Sequence, residues 1–237
     1  MTVLSPLTRE KLMTVSSGTL TTVLFRRGLR TRYISGVLPL DPACARFAGP
    51  AFTLRFIPAR EDIDTMERYA SADHVQRRAI EECPPGAVLV ISTGNECRAA
   101  SAGDIMIARL QQRGVVAAVT DGGFRDTPDI RALGFPVFQR QPAVPSSPIA
   151  LHPADLDRPV GCGGVAVFPG DIVVGDGDGV VVIPAGIADE IADEAINQTQ
   201  YEDFVTEKVA EGRSIFGLFP PDSESLREFE IWKAGRP

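Results

Sequence analysis

The sequence predicts a single α/β domain, and three observations carry that expectation. Two short apolar, β-branched runs, Ala87 to Ser92 (AVLVIS) and Val115 to Val119 (VVAAV), read as buried strands. Each follows a helical stretch, one ended by Pro84-Pro85-Gly86 and the other by Gly114. Farther on, Asp171 to Gly175 and Gly179 to Ile183 read as two strands joined by Asp176-Gly177-Asp178, which carries the Asp-Gly hairpin signal. At 237 residues the chain can bury one sizeable core, so one domain over 1–237 is expected rather than two.

In chain order, residues 1–45 read as a helical lead-in. Ser16-Ser17-Gly18 opens a helix over Thr19 to Arg27, with Ser17 as its cap and Gly28 as its stop; Leu20, Val23 and Leu24 share one face. Val37 to Leu40 is a loop or a short edge strand, limited by Pro39. Phe47 to Ile57 is a strand that alternates from Ala51 onward. A helix follows over Val75 to Glu82, and His74 in its first turn is expected to be solvated or locally hydrogen-bonded rather than a ligand or base. Thr93 to Ser101 crosses from a buried strand to the central helix, so Asn95 and Glu96 are candidates for outer support of a pocket.

Asp104 to Leu110 forms the central helix, and Asp121-Gly122-Gly123 breaks the strand that follows it. Ile130 to Leu133 is a short helix, and Val137 to Gln139 a strand entered from Pro136. Gln141 to Arg158 is rich in proline and serine and reads as an irregular excursion of the kind used for lids or subunit contacts, with His152 exposed in it. Val160 to Phe168 is a strand interrupted by Gly161, Gly163 and Gly164. The last long helix runs from Ala188 to about Glu211. The tail, 213–237, carries Phe216, Phe219, Phe229 and Trp232; that is too aromatic for disorder, so it should pack on the core or on a neighbouring subunit.

Composition excludes several function classes. Hydrophobic residues make up 44% and charged residues 23%, ordinary for a globular protein, and a net charge of -7 argues against general nucleic-acid or anionic-membrane binding. No apolar run approaches the ~18 residues of a membrane span. The start, MTVLSPLTREKL, lacks the pattern of a secretory signal, so a cytoplasmic protein is expected. Cys44, Cys83, Cys97 and Cys162 show no metal-ligand spacing and read as reduced, small hydrophobes. Lysine occurs only at Lys11, Lys208 and Lys233, which disfavours an imine-forming aldolase or a pyridoxal-phosphate enzyme. Histidine occurs only at His74 and His152, so a three-histidine zinc site cannot be built from one chain; any metal should be held by carboxylate and water, which selects magnesium or manganese. Neither a P-loop nor GxGxxG is present, and the acidic run near Asp176 lacks the full calcium-loop pattern.

The stretch from Gly103 to Asp129 concentrates the chemistry. A strand ends in a glycine turn and is followed by Arg125-Asp126, then Asp129. An arginine fork suits a carboxylate and an adjacent aspartate suits a hard cation. The same residues also read as a plain helix opening, with Thr127 as N-cap, Pro128 at the first position, Asp126 and Asp129 at the positive helix end, and Arg125 as a surface charge.

Asp104, Arg125-Asp126 and Asp129 at this spacing, with the downstream run PGDIVVGDGDGVVVIP (169–184), resemble the signature of the RraA-like proteins over roughly 45–212. The branch most resembled contains the metal-dependent 4-hydroxy-4-methyl-2-oxoglutarate aldolases. The resemblance implies a swivelling β/β/α domain with helical extensions, assembled as a homotrimer or hexamer. It implies a small 2-oxo acid as ligand, bound by Arg125 and by the backbone amides of Gly103, Asp104, Ile105 and Met106, and a divalent cation, magnesium or manganese, on Asp126. Asp104 could cap its helix, orient metal-bound water or relay a proton. Asp129 would support Arg125 or the metal waters, and Glu202 would be a carboxylate offered to a neighbouring subunit. The activity implied is cleavage of a 4-hydroxy-2-oxo acid to pyruvate, with oxaloacetate decarboxylation through the same enolate. Alternatives within the resemblance are a non-catalytic protein that binds ribonuclease E and a related sugar-acid dehydratase or aldolase.

Overall fold

The structure is a computed structural model that describes residues 4–236. Two N-terminal helices, α1 (Pro6–Thr14) and α2 (Ser17–Arg26), lead into β1 (Leu38–Pro39) and the long strand β2 (Phe47–Pro58). Helices α3 (Met66–Ala70) and α4 (Val75–Glu82) precede β3 (Val88–Ser92), and α5 (Asp104–Gln112) precedes β4 (Ala117–Thr120). Next come α6 (Thr127–Ala132), β5 (Val137–Gln139), β6 (Leu151–Leu156) and the hairpin β7 (Val160–Cys162) with β8 (Val165–Val167). The hairpin β9 (Ile172–Asp176) and β10 (Gly179–Ile183), then α7 (Ala188–Ala210) and α8 (Ser223–Ala234), complete the described chain.

The main sheet has the order β1-β5-β4-β3-β2-β9-β10, with β6 also on β2. Its centre, β2 through β5, is parallel, as helical crossovers require. Strand β2 organises the sheet: Phe47–Pro50 pairs with β9, and Ala51–Arg55 pairs with β3. Both faces are covered, which is why β3 is buried at every position instead of alternating with polar residues. Leu89 and Ile91 face the layer formed by α4, α5 and α6, while Val88 and Val90 face a second cluster that includes Val160, Cys162, Val165 and Val167 of the β7–β8 hairpin. At the β9–β10 end, Ile172, Val174, Val181 and Ile183 meet Leu12, Leu20, Leu24 and Ile191 of α1, α2 and α7. Hairpin, sheet and helices thus form the β/β/α layering that the resemblance implies.

Several expectations change in detail. The cap of α2 is Ser16, whose Oγ accepts from the Thr19 N–H at 3.0 Å; Ser17 lies inside the helix and donates both its N–H and its hydroxyl to the buried Asp176. The excursion over 141–158 contains the edge strand β6, masked in the sequence by Pro153, which an edge strand with a single neighbour tolerates. His152 is on that strand, half-buried, with Nδ1 2.7 Å from Asp64 Oδ1, so it is not an exposed loop histidine. Gly161 lies within β7, while Gly163 and Gly164, both with positive φ, are the turn of a hairpin and not a bulge in one strand. In the tail, Phe229 and Trp232 of α8 stack with Tyr201 and Phe204 of α7, while Phe216 is exposed.

Candidate functional site

The site forms beyond the C-terminal end of β4, where open parallel sheets hold ligands. Two loops run side by side there. Ala100 and Gly123 form an isolated parallel bridge, the Ser101 N–H donates to the Gly123 carbonyl at 2.8 Å, and the Arg125 N–H donates to the Ala102 carbonyl at 3.1 Å. Gly123 also lets the chain at 141–143 pack against this loop, because a Cβ there would meet the Gln141 carbonyl oxygen at 2.4 Å. The pairing brings Arg125 and Asp126 against Gly103, the residue that opens α5.

Arg125 Nε donates to Asp126 Oδ2 at 3.0 Å. Asp126 itself has a left-handed backbone, φ 57° and ψ 38°, at the entrance to α6. Aspartate tolerates that region better than most residues, yet it remains a sparsely populated conformation, of the kind that clusters at functional sites. The expected Thr127 cap is therefore displaced by one residue: Asp126 holds the cap position, Thr127 is the first helical residue, and no side chain caps α6. A Cβ on Gly103 would lie 2.8 Å from Asp126 Oδ2 and 3.1 Å from both Cγ and Nε of Arg125. Glycine at 103 is thus what lets the ion pair close over the start of α5.

No side chain caps α5 either. Its first amides lack intrahelical acceptors and, with the helix dipole, favour an anion. Gly103, Asp104, Ile105, Met106 and Arg125 all line one cleft of about 340 Å³, a size suited to a small ligand. Asp104 does not cap the helix, since its side chain makes no hydrogen bond among the described residues and borders the cleft.

The rest of the lining comes largely from α3, α4 and the turn at 146–147, with Tyr69, Gln76, Arg77, Glu81 and Ser147 among its residues. Gln76 binds this wall together: buried, it donates to the Ser101 carbonyl at 2.6 Å and accepts from the Ser147 hydroxyl at 3.0 Å. Arg109 pairs with Glu81 at 2.9 Å, and that hydrogen bond holds the Glu81 carboxyl below the usual carboxylate range. Sequence reading passed over this wall. The available signal was a glutamine on the otherwise apolar face of α4, because a buried amide needs partners on neighbouring segments.

Other expected residues stand apart. Asp129 is exposed in the first turn of α6 and makes no hydrogen bond to Arg125. Glu202, on α7, accepts from Thr19 Oγ1 at 2.7 Å and from Gln198 Nε2 at 2.8 Å, and does not line the cleft of its own chain. Asn95 accepts from Arg140 and Glu96 pairs with Arg98, so neither supports the cleft. His74 is buried rather than solvated, with Nδ1 lacking any partner among the described residues, and burial pushes its pKa down.

The donor set fits a hydrated hard cation. Asp126 Oδ2 is shared with Arg125, whereas Oδ1 makes no hydrogen bond among the described residues. No group of three or more His, Cys, Asp or Glu side chains suited to a metal occurs among them. A cation held there would have Asp126 as its one carboxylate ligand from this chain and would need water in its other positions, which magnesium accepts and structural zinc does not. The lysines are engaged elsewhere: Lys11 with Asp193, Lys208 with Glu211, and Lys233 with Asn197.

The chain is similar to several known proteins. A Halalkalibacterium halodurans protein provisionally named 4-hydroxy-4-methyl-2-oxoglutarate aldolase is 37% identical over 127 residues, 53% of this chain and 60% of that protein. The chain thus spans less than two thirds of that relative's length. Among solved structures, Streptomyces coelicolor RraAS2, described as an unusual member of the RNase ES inhibitor RraA family, is 35% identical with a TM-score of 0.74, covering 85% of this chain and 96% of that one. An uncharacterized Pseudomonas syringae protein matches with a TM-score of 0.79 at 25% identity, covering 91% of this chain and 93% of that one. No described helix is long and apolar enough to cross a membrane. The Aldolase/RraA model matches residues 11–182, starting earlier and ending earlier than the sequence signature suggested, and the chain belongs to the RraA-like family.

Proposed function

We propose that this chain is a lyase that cleaves a 4-hydroxy-2-oxo acid to pyruvate with the help of magnesium or manganese, and that it also decarboxylates oxaloacetate. The observation that carries the proposal is the closure of Arg125-Asp126 over the uncapped start of α5, which Gly103 alone makes sterically possible. A carboxylate seated there would receive the free amides of Gly103 to Met106 and the Arg125 guanidinium. Asp126 would hold the cation, which when bound supplies Lewis acidity to the oxygen where negative charge develops. Breaking the C3–C4 bond leaves its electron pair on the pyruvate half, and Arg125 stabilises that charge from the carboxylate side. The C4 hydroxyl must lose its proton as the C4 carbonyl forms, and Asp104, at the cleft edge with no hydrogen-bond partner among the described residues, can take it through a water and return it to C3 of the enolate to give pyruvate. With no lysine lining the cleft, imine chemistry has no nucleophile among the described residues.

The relative named as an aldolase supports the same reading. We further propose that the chain works as a homotrimer or hexamer, with Asp129 steadying the water around Asp126 and Glu202 offered to an adjoining copy; light scattering of the purified protein tests the assembly. The deciding experiment measures pyruvate release from 4-hydroxy-4-methyl-2-oxoglutarate and from oxaloacetate, with magnesium and then with chelator. Activity should require the metal and vanish in Arg125→Ala and Asp126→Ala, whereas activity that persists in chelator would reject the cation. The likeness to RraAS2 favours a second reading, a protein-binding regulator of ribonuclease E-type enzymes. Unchanged ribonuclease E cleavage rates on adding the protein would count against it.

A further inference from the structure

Three guanidinium groups and two carboxylates line the cleft of this acidic protein, and they are not equivalent. Arg125 is paired with Asp126 at the α5 end. Arg109 is paired with Glu81, which also draws Arg113 at 3.7 Å, so that carboxylate is already shared. Arg77 makes no salt bridge with a carboxylate among the described residues, although its charge also acts on Glu81. Its one hydrogen bond, from Nη1 to the Ala70 carbonyl at 2.6 Å, anchors the side chain and leaves its remaining N–H groups uncommitted. Arg77 belongs to α4, a different element from the Arg125 loop, and lines the same cleft as Tyr69 and Gln76.

We infer that Arg77 is the specificity-determining residue for the far end of the substrate, receiving a second anionic group while Arg125 and the α5 amides take the first. The inference rests on the proposed function for the identity of the proximal end. The physical reason lies in which N–H groups remain free: Arg109 gives both Nε and Nη2 to Glu81, whereas Arg125 gives only Nε to Asp126 and Arg77 only Nη1 to a backbone carbonyl, so Arg125 and Arg77 can each still form a forked contact with a carboxylate. The cleft is also larger than a three-carbon acid needs, so the ligand should extend past Arg125 toward α4.

Binding tests this without relying on turnover. Isothermal calorimetry with magnesium present compares 2-oxoglutarate with 2-oxopentanoate, which has the same five-carbon chain and a methyl group in place of the second carboxylate. The natural chain should prefer 2-oxoglutarate by roughly 10- to 100-fold, the range for a hydrogen bond to a charged group. Arg77→Ala should remove that preference and Arg77→Lys should restore part of it, an outcome that general loosening of α4 would not give. In turnover, Arg77→Ala should raise KM for 4-hydroxy-4-methyl-2-oxoglutarate far more than it lowers kcat. No preference in the natural chain, or a preference unchanged in Arg77→Ala, overturns the inference. Failure of the lyase reading would appear separately, as absence of pyruvate from the natural chain whatever the binding preference.

Discussion

At the scale of single residues, Gly103 and Asp126 can be separated by their consequences. A methyl group at 103 would meet Asp126 Oδ2 and the Cγ and Nε of Arg125, atoms of two half-exposed side chains that can swing aside into solvent. Gly103→Ala should therefore change the unfolding free energy by less than about 1 kcal/mol. The pair would no longer close over α5, and a misplacement of that size can lower kcat/KM by roughly 100-fold. Wild-type kinetics in a well-folded Gly103→Ala protein would show that the close approach has no catalytic use. At 126 the backbone adds a second cost. Asparagine tolerates the left-handed region and alanine does not, so Asp126→Asn should keep its denaturation midpoint while Asp126→Ala loses about 1 kcal/mol. Both should lose pyruvate formation. The sequence made Arg125 and Asp126 legible because a strand, a glycine turn and a charged pair are adjacent in the chain. It hid the left-handed φ of Asp126, which no neighbouring glycine or asparagine signals.

At the scale of elements, α4 is the helix whose importance the chain order concealed. It bears His74 at its start and Gln76, Arg77 and Glu81 on the cleft wall, yet in sequence it lies far from Arg125. The residues that close a cleft across two crossovers leave no local spacing pattern to read, unlike the hairpin at 172–183 or the helix at 104–112. His74 gives this helix a pH dependence. Burial pushes its pKa below 6.5, Arg68, Arg77 and His152 push the same way, and Asp64 opposes them; Tyr69 packs edge-on against the ring. Since the folded value is the lower one, protonation favours the unfolded chain. The contribution to stability is fully present above pH 6.5 and is lost as pH falls through the depressed folded value. Urea midpoints at neutral and mildly acidic pH should therefore differ more for the natural chain than for His74→Leu. Equal differences in the two proteins would show that His74 does not titrate against folding.

At the scale of the whole molecule, one sheet serves three apolar clusters, and the chain's cysteines sample two of them. Cys83 lies in the cluster under α4, α5 and α6, and Cys162 lies on the opposite face of the sheet with the β7–β8 hairpin. The layering itself was only partly legible: buried strands and flanking helices follow from composition, but β6 and the hairpin at 160–167 were obscured by proline and glycine. Whether these layers unfold together can be read from the thiols. Burial pushes the Cys83 thiol up to about 12 and raises Cys162 as well, so neither offers a thiolate to reagent in the folded protein. Cys44 and Cys97 are half-buried and should react first in native buffer. Strand β3 contributes Val88 and Val90 to one face and Leu89 and Ile91 to the other, so losing either layer exposes the strand that supports its counterpart. Cys83 and Cys162 should accordingly become reactive over the same range of urea, as one cooperative unit requires. If Cys83 is labelled at urea concentrations that leave Cys162 protected, the helical layer that walls the cleft opens by itself, and the cleft would then rest on a unit less stable than the sheet beneath it.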